Sequence, residues 1–159
     1  ASFLRALEGL DAARREEGAR LAAVLTAQIE RVESLVAAAR DNPARSAEAI
    51  RARLAEQVAR LMETGADLDP DRLHQEAILI ATRSDIPEEL DRLVSHVEAA
   101  RQLLDSGDAI RRKFDFLAQE FNREANTLCS KAIDRSLTAI GLDLKTVIDQ
   151  MREQVQNIE

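Results

Sequence analysis

The residues best equipped for chemistry fall in the second half of the chain. Over 109–131, at about 100° per residue, Asp115, Gln119, Asn122 and Asn126 line one stripe of a helix, with Arg123 following it. Beside them runs an apolar stripe of Phe114, Leu117, Phe121, Ala125 and Leu128, and Glu120, Glu124 and Lys131 flank its far side. Asn and Asp are weak helix formers, so a purely structural surface would favour Glu, Lys or Arg there. Either the stripe is the polar wall of a site able to hold a metal or a ribose, or it makes interhelical hydrogen bonds that fix register. Glu89 and His96, seven apart, share a helical face with Arg92 and Leu93, and Glu76 edges the apolar segment 77–81. One histidine with several carboxylates suits Mn²⁺ or Mg²⁺ better than structural Zn²⁺, which wants more Cys or His. Taken singly, His96 also reads as a hydrogen-bonded core histidine, His74 as a surface residue and Cys129 as a small core residue.

The elements that must position these groups read as helices almost throughout. In 2–41 the apolar residues Leu4, Leu7, Leu10, Leu21, Val24, Leu25, Ile29, Val32, Leu35 and Val36 fall mostly three and four apart, until Asp41-Asn42-Pro43 breaks the run. A second helix, about 44–64, carries Ile50, Leu54, Val58 and Leu61 and stops at Gly65. Residues 1–66 are therefore expected to form a long antiparallel hairpin with charged outer faces. Residues 67–159 should form a bundle of about four shorter helices. Asp69-Pro70 opens one that runs to about Ser84; Asp85-Ile86-Pro87-Glu88 repeats the start signal for one ending near Ser106-Gly107. The next spans about 109–131 and the last about 134–157. In the last, Leu137, Leu144, Met151 and Ile158 repeat every seven residues, a seam for a partner helix inside the chain or across an oligomer. The fold class is all-α.

Composition closes off other functions. Five Gly and three Pro among 159 residues leave a loop-rich β fold little to turn with, and one Cys rules out an internal disulfide framework and suits a reducing compartment. No apolar run approaches a membrane span, so no membrane is expected as a partner. Residues 1–65 hold ten Arg against ten Asp or Glu, so the whole net charge of −7 lies beyond them. Such a chain has no general attraction for nucleic acid, and DNA is not expected; phosphate contacts would use local clusters such as Arg111-Arg112-Lys113. There is no glycine-rich phosphate loop, HExxH, CxxC pair or EF-hand loop, nor the aromatic interleaving that stacks single-stranded bases.

Longer strings are distinctive. Arg112-Lys113-Phe114-Asp115-Phe116-Leu117, continued by Gln119-Glu120-Phe121-Asn122-Arg123-Glu124-Ala125-Asn126-Thr127, resembles the signature of the YicC/YloC family. The ending Met151-Arg152-Glu153-Gln154-Val155-Gln156-Asn157-Ile158-Glu159 is similar to that family's C-terminus, and Gln75-Glu76, Asp85-Ile86, Glu88-Glu89-Leu90-Asp91-Arg92-Leu93 and Ser95-His96 fall in its order. The match is strong over about 70–159. Cys129 stands where the family commonly has Gly or Ala. The resemblance implies a bacterial, cytoplasmic, divalent-metal-dependent endoribonuclease that assembles as a homo-oligomer, with a hexameric ring as one form. It also implies an N-terminal α and β domain outside this chain, which then reads as the C-terminal helical half.

On that reading the catalytic candidates are His96, Glu120, Glu124 and Asp115, and the metal candidates Glu76, Glu89 and His96, with Mn²⁺ or Mg²⁺ as cofactor. Arg112, Lys113, Gln119, Asn122, Arg123 and Asn126 would bind RNA. The spacing leaves open which groups are ligands and which move protons. The alternative is a non-catalytic oligomerisation or RNA-clamp module whose activity depends on the N-terminal domain. Convergence of Asp115, Asn122, His96 and Glu76 on one cleft would favour the enzyme; dispersal would favour the module.

Overall fold

The computed structural model of the chain describes residues 2–63, 71, 74, 75, 78, 85–106, 110–132 and 134–156. They are helical apart from short connections: α1 (Ser2–Arg40), a 3-10 turn (Pro43–Arg45), α2 (Ala47–Glu63), α3 (Pro87–Asp105), α4 (Ile110–Lys131) and α5 (Arg135–Gln156). The all-α reading holds. No strand occurs among the described residues.

Side chains set the helix ends. After α1, Asn42 takes an extended backbone, as a residue before Pro must, and its Oδ1 accepts a hydrogen bond from Ala44 N at 2.9 Å. Ser46 then caps α2, its Oγ accepting from Ala49 N at 3.1 Å. α3 begins at Pro87 as expected, but the residue before it is Ile86, which offers no side-chain cap and is instead buried in the core. Asp85 is thus displaced from the capping position, and Glu88 and Glu89 place negative charge in the first turn, where the helix dipole favours it. Asp134 caps α5: its Oδ1 accepts from Ser136 N at 2.7 Å and from Ser136 Oγ at 2.5 Å.

The core is a four-helix bundle in which α1 and α4 lie diagonally, each packed on α3 and α5. Arg40–Asp91 with Glu33–Arg101 show that α1 and α3 run antiparallel, and Glu89–Lys131 with Arg92–Glu124 show the same of α3 and α4, whose short connection requires it. α1 contributes Leu25, Ile29, Val32, Leu35, Val36 and Ala39; α3 adds Leu90, Leu93, Val97 and Ala100. From α4 come Phe114, Leu117, Phe121, Ala125 and Leu128, all five residues of the expected apolar stripe, with Ala118. The seam on α5 is satisfied within the chain, because Leu137, Leu144, Ile148, Met151 and Val155 are all buried; Ile158 lies outside the described residues. α5 meets α4 at Gly141, where a Cβ would run into Cys129 Sγ. Glycine lets the two helices approach there.

The hairpin expected of 1–66 is not the packing found among the described residues. α1 packs on α3 and α5, and α2 on the 3-10 turn, with no comparable α1–α2 face. The reason lies in where the apolar residues sit. Positions 5–20 of α1 are all exposed, including Leu7 and Leu10, while Ile50, Leu54 and Val58 of α2 are only half-buried. At about 1.5 Å per residue, the 39 residues of α1 reach well past the shorter helices it packs on. The helix expected from Asp69-Pro70 to Ser84 falls mostly outside the described residues, though 71, 74, 75 and 78 are helical and His74 is exposed.

Candidate functional site

Antiparallel packing of α3 on α4 brings a line of polar groups together along one edge of the bundle. At one end, Lys131 Nζ donates to Glu89 Oε1 at 2.8 Å and to the Asp85 carbonyl at 3.0 Å. About a turn along, Arg92 Nη1 lies 3.3 Å from Glu124 Oε1 while its Nη2 holds Glu88 at 2.5 Å. Next comes His96, whose ring meets Phe121 edge-on with centroids 5.5 Å apart. His96, Glu120 and Glu124 each present a ligand atom, all within 4.8 Å of one another.

The three differ in environment. Glu124 is 3% exposed, and a carboxylate that far from water needs a cation; Arg92 supplies one. Glu124, then Glu88, hold the Arg92 guanidinium yet more firmly protonated than usual. Glu120 is half-buried and makes no hydrogen bond among the described residues. His96 Nε2 is sealed from solvent without a partner. Burial pushes the His96 pKa below its ordinary value, against the pull of Glu124 and Glu120 and with the help of Arg92. The imidazole is therefore neutral at neutral pH, with a lone pair available to a proton or a metal. Two carboxylates and one imidazole with ligand atoms this close, and with a histidine nitrogen left unpartnered, fit a hard divalent cation such as Mn²⁺ or Mg²⁺.

Of the residues singled out from the sequence, His96, Glu120 and Glu124 come together. Asp115 does not. It faces α5, accepting from Arg152 Nε at 3.0 Å and Gln119 Nε2 at 3.1 Å, and the Arg152 bond holds its carboxyl below the usual carboxylate range. Asn122 likewise donates to Asp149 at 3.0 Å. Much of the Asn/Asp stripe thus holds α4 in register with α5. Glu89 is buried against Lys131, outside the three-residue cluster, and its Oε2 has no partner. Glu76 lies outside the described residues. Arg112, Lys113, Arg123 and Asn126 are exposed on α4. Arg92 was not among the expected site residues. Its signal was its position four residues before His96 on the same face, which charge alone did not distinguish from a solvated arginine.

Residues 39–159 match the family described as "Endoribonuclease YicC-like, C-terminal". The chain belongs to the YicC-like family. It is 51% identical over 100 residues to a "Probable endoribonuclease YicC" of Haemophilus influenzae, covering 63% of this chain and 35% of that protein. It is 34% identical over 146 residues to the protein of the same name from Clostridioides difficile, covering 92% of this chain and 50% of the relative. The chain thus spans a third to a half of the curated YicC relatives it matches, and it matches the family's C-terminal part. The whole α3–α4 cluster falls within the matched residues. No described helix is long and apolar enough to cross a membrane.

Proposed function

We propose that this chain is the C-terminal part of a divalent-metal-dependent endoribonuclease, with its centre at His96, Glu120 and Glu124. The observation that carries the reading is the convergence of these three side chains, a ligand atom of each lying within 4.8 Å of the others, in a cluster whose His96 Nε2 has no hydrogen-bond partner. The family membership and the relatives' names support RNA as the substrate. A divalent cation held by the three groups would supply Lewis-acid polarisation of a phosphate oxygen. Glu124, clamped by Arg92, is the fixed member; Glu120, half-buried and unbonded, can turn toward a substrate. Neutral His96 has one lone pair, which serves the cation or, in the alternative arrangement, accepts a proton. Arg112, Lys113 and Arg123 would balance phosphate charge, as phosphoryl chemistry demands. Glu89 and Asp115 are held in ion pairs and act here as structural residues. The same reading places the protein in the cytoplasm as a homo-oligomer.

A second reading, an assembly or clamp module, is favoured by the dispersal of Asp115 and Asn122 toward α5 and by the exposed Phe3, Leu7 and Leu10 on the outer part of α1. Cleavage of a labelled structured RNA by the intact protein, with Mn²⁺ and with EDTA, separates the two. The enzyme reading expects cutting with Mn²⁺ alone, and its loss in His96→Ala and Glu120→Gln variants that keep their helical circular dichroism. Normal cutting by those variants would hand the site to other residues.

A further inference from the structure

The solvent face of α4 carries a group that the chemistry above does not use. Phe116 is 64% exposed, although the other two Phe residues of α4, Phe114 and Phe121, are fully buried. Single exposed apolar residues are ordinary; the neighbours of this one are not. Four residues on, one helical turn away, is Glu120 of the candidate centre. Arg112, four residues before, and Arg123, seven after, lie on the same strip. Both are exposed and neither forms an ion pair among the described residues. On a chain of net charge −7, where many arginines have a carboxylate partner, two guanidinium groups with none among the described residues bracket an open aromatic ring and form a local cationic patch.

We propose that this strip is a subsite for single-stranded RNA, in which one unpaired base stacks on the Phe116 ring while Arg112 and Arg123 hold the flanking phosphates. A phenyl ring offers a flat apolar face to any base, so such a contact is tolerant of sequence, and guanidinium groups hold phosphates without reading bases. Because Phe116 lies one turn from Glu120, a nucleotide seated there keeps its chain beside the cluster of His96, Glu120 and Glu124. The subsite gives the enzyme a preference for unpaired stretches, since a duplex has no base free to stack. This rests on the endoribonuclease reading for its substrate, though stacking can be observed without cleavage.

The test uses the intact protein and a ten-nucleotide single-stranded RNA carrying one 2-aminopurine, with a duplex of the same sequence beside it. Binding is measured in EDTA and cleavage in Mn²⁺. Phe116→Ala should weaken single-strand binding and raise KM about 10-fold, the usual scale for one lost stacking contact, with kcat and duplex binding little changed. Phe116→Leu keeps the bulk but not the flat face and should lose as much. Phe116→Trp should restore affinity, and the emission it adds over that of the wild-type protein should be quenched by the RNA. Exposure of the side chain means these variants keep the wild-type fold, which circular dichroism checks. Wild-type affinity in Phe116→Ala or Phe116→Leu, or Trp emission unmoved by bound RNA, overturns the subsite. Absence of cleavage by the wild type, with stacking intact in EDTA, would instead strike the endoribonuclease reading and leave the subsite standing.

Discussion

Replacing Lys131 by Met separates a structural carboxylate from a metal ligand at Glu89. The Glu89 side chain is 6% exposed and the Lys131 side chain 30%, with 2.8 Å between the charged atoms. Methionine keeps most of the aliphatic stem but leaves Glu89 buried with Oε2 already unpartnered, and it also abandons the Asp85 carbonyl. Removing one member of a fully buried pair costs about 3–5 kcal/mol. Two features reduce that figure: the ammonium stands partly in water, and Glu89 lies in the first turn of α3, where the helix dipole offsets up to about 1 kcal/mol of the lost attraction. The expected loss is about 2–3 kcal/mol, or roughly 4–12 °C in Tm for a chain of this size. Urea and thermal unfolding read it directly. Glu89→Gln in the Lys131→Met background should recover about 1–2 kcal/mol, because the stranded charge goes with it. Mn²⁺ should stabilise Lys131→Met no more than the wild type. A loss below about 0.5 kcal/mol, or a Mn²⁺ stabilisation of Lys131→Met that exceeds the wild type's by the whole loss, would refute this and return Glu89 to the ligand set.

Other consequences can be checked alongside. Mn²⁺ at about 100 times its Kd should stabilise the wild type by about 2.7 kcal/mol, and Glu120→Gln should abolish most of that shift in a thermal scan without lowering the metal-free Tm. Asp134→Ala removes the α5 cap and the Arg53 contact, and should cost about 1–2 kcal/mol in chemical denaturation. The Ser136 hydroxyl and backbone N–H, with Arg53, hold the Asp134 pKa at about 2 against an ordinary 3.8. Because the folded value is depressed, its stabilisation is complete above about 3.8 and disappears as pH falls through about 2. Asp134→Asn should flatten the acid limb of the stability profile in that window. Gly141→Ala should destabilise through contact with Cys129 and Leu128, by about 1–3 kcal/mol less up to about 1 gained in helix propensity. In a Cys129→Ala background the same change should be neutral or stabilising.

Local rules made much of this protein legible. The 3.6-residue period of apolar side chains defined the stripe Phe114–Leu128 and the seam on α5, because burial on one face of a helix is a property of spacing alone. Pro43 and Pro87 marked two helix boundaries through the steric limits they impose on their own and the preceding residue. The site was legible as a pool. His96, Glu120 and Glu124 were in it, but so were Asp115 and Glu89, which are chemically equivalent on paper.

Sequence by itself therefore determined the all-α class, the faces that α4 and α5 bury, and the family through strings such as EFNREANT. Tertiary structure alone decided which carboxylates share a site. The antiparallel fit of α3 on α4 sets Arg92 against Glu124 and Lys131 against Glu89, while the fit of α5 draws Asp115 to Arg152. It also decided that α1 closes the bundle beside α3 and α5 rather than folding back on α2. The physical reason is that periodicity fixes a side chain's direction about its own axis. Which group it meets depends on the neighbour's identity, direction and stagger, and those are settled by how the four apolar faces pack together.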